Sequence, residues 1–285
     1  FRVMPRALDQ EMIDEIIQGY ADAARRLHQA GLDGVELVAS HGYLPAQFIN
    51  PRVNRRSDGY NGELEQRLRF IREILDAMRA STDAEFIIGL RISADERDPE
   101  GLTEDESLAA VQLLQGQLDY VHIVAGTSAS LGGAVHIVPP MAVEAAYLAR
   151  EAGTFKAQLS IPLFVTGRIN QPQEAEAIIA KGQADVCGMT RALICDPQMP
   201  NKSDSGRAED VRACIACNQA CIGHFHKGLP ISCIQHPETG RELLYGQPKP
   251  SARGKRILVV GGGPAGMKAA AVAAQRGHQV TLYEA

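Results

Sequence analysis

Four of the six cysteines crowd into one stretch. Cys214, Cys217, Cys221 and Cys233 make C-x2-C-x3-C-x11-C, while Cys187 and Cys195 stand apart. Three thiolates in one tight loop, with a fourth returning from downstream, suit a 4Fe-4S cube, and on spacing alone a structural zinc site is the rival reading. Cysteines this unevenly placed do not look like the framework of a stapled secreted domain and favour a metal site in a reducing cytoplasm.

A second constellation lies near the end of the chain. Gly261, Gly263 and Gly266 spell G-x-G-x-x-G between an apolar run and an alanine-rich helix, with Ala265 in the helix's first turn and Glu284 after the next apolar run. The first glycine permits the tight turn, the second lets a pyrophosphate approach backbone amides, and the third allows close helix–strand packing. An acid at Glu284 can accept from ribose hydroxyls, as a dinucleotide-binding turn requires.

The remaining candidates follow apolar runs directly. His41 and Tyr43 come after the run 34–39, and Arg91 closes the next one. The pairs Gly167-Arg168 and Thr190-Arg191 follow the two later runs. Histidine and tyrosine offer proton transfer, and an arginine can stabilise negative charge on a reduced cofactor ring. A packed histidine, a core tyrosine and surface arginines are the plain alternatives.

These groups need elements to position them, and the periodicity supplies a repeating pattern. Helices are expected over 8–30, 63–80, 103–116, 141–153 and 171–182, with Met12, Ile16, Tyr20, Ala23, Ala24 and Leu27 marking the apolar face of the first. Each precedes a strand, over 34–39, 86–91, 120–124, 162–166 and 184–189. Strands without internal polar alternation, separated by helices, indicate an α/β fold with a parallel sheet covered on both sides. A doubly wound sheet and a TIM (β/α)8 barrel both satisfy this. In a barrel, the phosphate site is built by the loops after the seventh and eighth strands, which here carry the two arginines.

Residues 196–255 read as a loop-rich connector, and a single βαβ unit follows with strands over 257–260 and 279–283 and a helix over 265–276. The expected division is 1–200 for a partial barrel with its last five β/α units, 201–254 for the cluster segment and linker, and 255–285 for the start of a Rossmann-type domain. The chain opens on Phe1 and closes just after a second Rossmann strand, which reads as a piece of a longer polypeptide.

With 285 residues and 45% hydrophobic content the chain can bury a sizeable core. A net charge of −5 gives no basic face for nucleic acid, and no apolar run approaches the ~20 residues that span a bilayer.

The segments AGLDGVEL, HGYLPAQFINPRVNRRSDGYNGELEQRLRF, VTGRI, GMTRALICDP, CIACNQAC and VVGGGPAG, in this order, resemble the iron-sulfur branch of the Old Yellow Enzyme superfamily, that of 2,4-dienoyl-CoA reductase and trimethylamine dehydrogenase. The resemblance implies FMN in the barrel, a 4Fe-4S cluster beside it and FAD in the C-terminal region. It implies that Arg91 touches the polar edge of the isoalloxazine and that Gly167, Arg168, Thr190 and Arg191 hold the FMN phosphate. It also makes the four clustered cysteines the cluster ligands, Tyr43 a proton donor, and Arg52, Asn54 and Arg55 part of the substrate stretch.

The match to the family's members is mixed. His41 is similar to a histidine of the amine dehydrogenases, whereas the x3 gap before Cys221 follows the reductases. Val38 stands where simple ene-reductases carry the first histidine of a pair. The reductases' catalytic histidine is replaced near Thr127, with His136 a displaced candidate for that substrate-facing role. The resemblance therefore implies a flavin oxidoreductase in which NAD(P)H reduces FAD, electrons cross the cluster to FMN, and an activated C=C bond such as an enoyl thioester's is reduced. The alternative is an N-methyl amine dehydrogenase or demethylase with outward flow to an acceptor protein or the second nucleotide. A third reading is a segment that is non-catalytic when isolated.

Overall fold

The computed structural model describes residues 6–285, so the first five residues of the expected barrel segment lie outside the described part. Strands β1 (Gly34–Ala39), β2 (Ile87–Asp95), β3 (Tyr120–Ala125), β4 (Leu163–Val165) and β5 (Val186–Cys187) form one parallel sheet in the order β1-β2-β3-β4-β5. This order decides between the two architectures left open by the sequence. When each strand pairs with the next in the chain, right-handed crossovers place every helix on the same face. A doubly wound sheet needs a reversal of strand order, and none occurs among these five, so the sheet is singly wound as in a barrel.

Alternate residues of each strand turn toward the helices. Leu37, Ala39, Ile88, Leu90, Ile92, Val121, Ile123, Leu163 and Val165 are at most 1% exposed. Each large aliphatic side chain removed from water this way stabilises the unit by about 1.5–3 kcal/mol. Helices Gln10–Gln29, Glu104–Leu114, Ala149–Lys156 and Pro172–Ala180 pack on β1, β2, β4 and β5. The opposite face departs from the expectation of strands without polar alternation: β1 to β3 place Glu36, Arg91, Tyr120 and His122 there.

Local chemistry explains where helices begin. Asp9 accepts from Met12 N at 2.9 Å to open Gln10–Gln29, and Gly31, at φ +80°, follows its end. Thr103 and Glu106 form a reciprocal capping box at Glu104–Leu114. The first helix buries Ile13, Ala21 and Ala24, so its inner face is turned slightly from the expected one, and Ala23 and Leu27 are exposed.

Other expectations need correction. The helix over 63–80 is two pieces, Leu64–Arg67 and Arg69–Ala80. Over 141–153 only Ala149–Lys156 is helical. The stretch before it is a loop bent around Arg168, whose carbonyl accepts Ala146 N at 3.0 Å while Ala146 holds φ +51°. Short helices Leu44–Ile49, Leu131–Ile137, Thr190–Cys195 and Met199–Asp204 escape the sequence because six or seven residues show too little periodicity.

The chain divides into two compact units, one ending at Asn218 and one running from Gln219 to Ala285, so the division falls inside the cysteine motif. In the second unit β6 (Arg256–Val260) and β7 (Gln279–Tyr283) are parallel and joined by helix Pro264–Gln275, giving the expected βαβ unit. The connector before it carries two short helices, Ile222–His226 and Glu242–Tyr245. Among the described residues no helix is long and apolar enough to cross a membrane.

Candidate active site

His41 lies two residues past β1 with a left-handed backbone, φ 60°, which is uncommon for a residue bearing a Cβ and concentrates at functional turns. The turn is held from three sides. His41 N donates to Ser93 Oγ at 3.0 Å, Ser128 N donates to His41 O at 2.9 Å, and His41 bridges to Thr127 in parallel fashion. Its Nδ1 faces the Gly126 carbonyl at 3.3 Å; a carbonyl only accepts, so Nδ1 carries the proton and Nε2 of the neutral ring is an acceptor. Burial holds the imidazole below its ordinary pKa, against the opposing pull of that carbonyl. Tyr43 is about half exposed at 48%, with its ring edge-on to His41 at 6.2 Å.

Arg91 belongs to a row of polar groups on the inner face of the sheet. Its Nη2 is 2.5 Å from Glu36 Oε1, while Glu36 Oε2 accepts from His122 Nδ1 at 2.8 Å and Tyr120 OH at 3.1 Å. Burial raises the Glu36 pKa, but His122, by hydrogen bond and charge, and the Arg91 charge outweigh it and hold the carboxyl below its usual range. Sequence reasoning missed Glu36, Tyr120 and His122. The signal was present, since polar residues recur at every second position of otherwise apolar strands.

At the ends of β4 and β5 lie the two arginine loops. Gly167 leaves no room for a side chain, because an added Cβ would come 3.0 Å from Leu148 and 3.1 Å from Tyr147. Arg168 is left-handed at φ 52° and donates through Nη1 to the Val143 carbonyl. Thr190, exposed, begins helix Thr190–Cys195, and Arg191 Nη1 donates to Pro139 O and Asn218 Oδ1, both at 2.8 Å. Both guanidiniums thus bind the loop 138–147. The Nε atoms of Arg91 and Arg168 are buried with no partner in the protein, as are those of Arg52, Arg72 and Arg97, whereas the absence of a side chain at Gly167, beside Arg168, is what lets a phosphate approach the backbone there.

The expected substrate residues divide. Arg52 pairs with Glu106 at 2.6 Å and donates to Gly101 O. Asn54 is buried and donates to Phe48 O and Tyr60 O at 2.8 and 2.7 Å, so its amide shapes the loop. Arg55 is exposed beside a cleft of about 280 Å³ lined by Leu44, Gln47 and Val53. His136 sits on helix Leu131–Ile137 with its ring 5.7 Å from that of Tyr147, and its carbonyl accepts the Tyr147 hydroxyl at 2.9 Å. Its Nδ1 is buried without a partner, and burial lowers its pKa. Thr127 is packed at 1% exposure against the His41 turn.

The four clustered cysteines fall two to each unit, Cys214 and Cys217 in the first and Cys221 and Cys233 in the second. In the first, Ala216 N donates to Cys214 Sγ at 3.4 Å, and Ala216 and Asn218 take left-handed φ of 54° and 56° on either side of Cys217. In the second, Ser232 N donates to Ala220 O at 2.7 Å, which ties together the neighbours of Cys221 and Cys233. No three His, Cys, Asp or Glu side chains converge as metal ligands among the described residues, and none of the six cysteines is in a disulfide.

The glycine turn of the second unit fits a nucleotide pyrophosphate. Gly261 has φ +102°, and a Cβ on Gly266 would run into the Gly261 carbonyl. Gly263 caps helix Pro264–Gln275, whose first turn includes Ala265, and the Glu284 carboxylate accepts from Gly262 N.

A family model described as NADH:flavin oxidoreductase / NADH oxidase matches residues 1–210, and one described as an NAD(P)-binding Rossmann-like domain matches 259–285. An NADH oxidase of Thermoanaerobacter brockii is 41% identical over 98% of this chain and 43% of its own length. An N,N-dimethylglycine/sarcosine dehydrogenase of Chromohalobacter salexigens is 40% identical over 98% of this chain and 41% of its own. Among solved structures, a 2-naphthoyl-CoA reductase in complex with 2-naphthoyl-CoA superposes with a TM-score of 0.91 at 34% identity, over 97% of this chain and 42% of that one. The chain therefore spans 41–43% of the length of these relatives. Singly wound sheet, strand-end residues and a family match over residues 1–210 together show that the chain belongs to the NADH:flavin oxidoreductase / NADH oxidase family of TIM-barrel flavin enzymes.

Proposed function

We propose that the chain carries the catalytic face of an FMN-, 4Fe-4S- and FAD-dependent oxidoreductase that takes electrons from NADH or NADPH and reduces an activated C=C bond, as in an enoyl thioester. The observation that supports this best is the grouping of Gly167-Arg168, Thr190-Arg191 and the His41–Tyr43 turn after the strand ends of one singly wound sheet, with Arg91 on the inner face of its second strand. When bound, FMN would supply two-electron transfer to substrate, and the cluster would supply the one-electron steps that connect it to FAD.

The chain's own residues then have distinct tasks. Arg91 holds positive charge at the polar edge of the flavin, while Arg168 and Arg191 meet the phosphate with backbone amides of Gly167 and Thr190. Tyr43 donates its phenolic proton to the carbon that becomes electron-rich. His41 offers Nε2 as an acceptor that orients substrate or water, and Arg52, Arg55 and His136 line the approach, with Asn54 shaping the loop. Cys214, Cys217, Cys221 and Cys233 hold the cluster, and a reducing cytoplasm keeps them out of disulfides. Gly261, Gly263, Ala265 and Gly266 cradle the pyrophosphate of FAD, and Glu284 exchanges its bond from Gly262 for the ribose.

One observation favours a second reading, oxidation of an N-methyl amine. A neutral His41 with Nε2 as acceptor suits an amine N–H, and the sarcosine dehydrogenase is as similar to this chain as the NADH oxidase within one per cent identity. Anaerobic titration of the cofactor-loaded protein separates the two. Bleaching of flavin and cluster absorbance by NADH or NADPH supports the reductase, whereas bleaching by N-methyl amines alone overturns it. The same titration on the 285-residue chain, loaded with cofactors, tests whether this segment is non-catalytic by itself.

A further inference from the structure

The row of polar groups beneath the strand ends has one member whose placement the proposed reaction does not use: Glu36. Strand register puts Glu36, Gly89 and Tyr120 on one rung and Val38, Arg91, His122 and Phe164 on the next. Gly89 sits between Glu36 and Tyr120, and a Cβ there would run into the tyrosine ring, so the absent side chain is what lets Tyr120 reach across β2 to Glu36. Glu36 divides its two oxygens: Oε1 faces Arg91, and Oε2 takes Tyr120 and His122. The row continues from His122 Nε2 to Thr166 Oγ1 at 2.8 Å, beside the Gly167-Arg168 loop. Tyr120 is itself pinned, its ring stacked on Phe164 at 4.3 Å between centroids.

We propose that Glu36 is a positioning residue: held by Tyr120 and His122, it fixes the Arg91 guanidinium at the polar edge of the flavin. The inference rests on the reading that Arg91 faces FMN. An arginine has a long side chain with roughly 2 kcal/mol of rotamer entropy, and a charge stabilises developing negative charge only if it is already in place. Arg91 is 37% exposed, and its Nε makes no bond to the protein, so Glu36 is the partner that limits where the guanidinium can point. Because Glu36 lies on a different strand from Arg91 and is braced from a third, the restraint belongs to the sheet rather than to one side chain.

The test is the ratio of affinities for reduced and oxidised FMN, measured in the cofactor-loaded protein by fluorescence quenching and spectroelectrochemistry. Glu36→Asp keeps the charge and withdraws it by one methylene. It is expected to lower the ratio about tenfold, equivalent to about 30 mV for a two-electron couple. In an Arg91→Met background the same substitution should have no further effect. An unchanged ratio, or an equal loss in both backgrounds, overturns the proposal. If Glu36→Asp gives no folded protein, Tyr120→Phe decides: it keeps the ring on Phe164 and removes the hydroxyl that braces Glu36. A smaller loss of the same sign supports the proposal, and no loss overturns it. Failure of the wild-type protein to bind FMN at all would instead refute the flavin reading on which the inference rests.

Discussion

In the first unit the proposed ligand-facing groups are chiefly long side chains. Arg91 comes from the middle of β2, Arg168 and Arg191 from the stretches after β4 and β5, and each is held by another part of the same unit: Glu36, the Val143 carbonyl, and Pro139 with Asn218. In the second unit the proposed ligand-facing groups are backbone amides around the glycines at 261, 263 and 266. The first design draws on long-range folding to bring its parts together, and the second is complete within one βαβ unit. Damage should therefore spread differently in the two. A lost steering residue misplaces one arginine by degrees, whereas a Cβ inside the glycine turn removes the whole platform.

The most severe break acts on the connection between the two sites. Cys217→Ser should abolish the cluster, with iron and acid-labile sulfide absent by chemical assay, and should stop electron passage from NAD(P)H to FMN while both flavins stay bound. Tyr43→Phe acts on the first site alone. It should cut alkene reduction by about 10²–10⁴-fold, with flavin reduction by NAD(P)H unchanged in stopped-flow traces. Equal losses in both half-reactions would remove Tyr43 from the proton-donor role.

Gly266→Ala is the matching change in the second unit, since the new methyl meets the Gly261 carbonyl. FAD affinity should fall roughly hundredfold, about 2.7 kcal/mol, with FMN content unaltered. Loss of both flavins together would mean that the two sites are not separable as described.

The smallest effect is a pH dependence confined to the first unit. His41 and His136 have pKa values depressed by burial, so the unfolded chain takes up protons near pH 6.5 before the folded chain does. Stability is therefore unaffected above that pH and falls as pH drops below it, by up to 1.4 kcal/mol for each unit of depression. Denaturant melts of wild type and His41→Gln between pH 7.5 and 5.5 check this, and the variant should show the shallower decline.

How much of this was legible in the sequence follows the same division. The βαβ unit was readable nearly residue for residue, because its glycines and strands are local and contiguous. Strand ends followed by His41, Arg168 and Arg191 were also readable, since an apolar run followed by polar residues marks where a barrel strand stops, but Arg91, expected to close its strand, lies inside β2, which runs on to Asp95 because Ile92 and Ala94 continue the buried face. The partners of those residues were not. Glu36 lies 55 positions before Arg91, and only strand register brings them onto neighbouring rungs. Likewise, the alanine-rich stretch 141–148 carries a helical composition, yet its backbone bends around Arg168, a tertiary demand that local propensity does not contain.

Asn218 gives one of these features a wider meaning. It follows Cys217 directly, accepts from Arg191 and donates to Val138 O at 2.8 Å, so one amide ties the cysteine turn to the phosphate-side arginine and its loop. On the proposed reading, the turn that carries Cys217 and the arginine assigned to the flavin phosphate share this one brace, so a change at Asn218 should reach both.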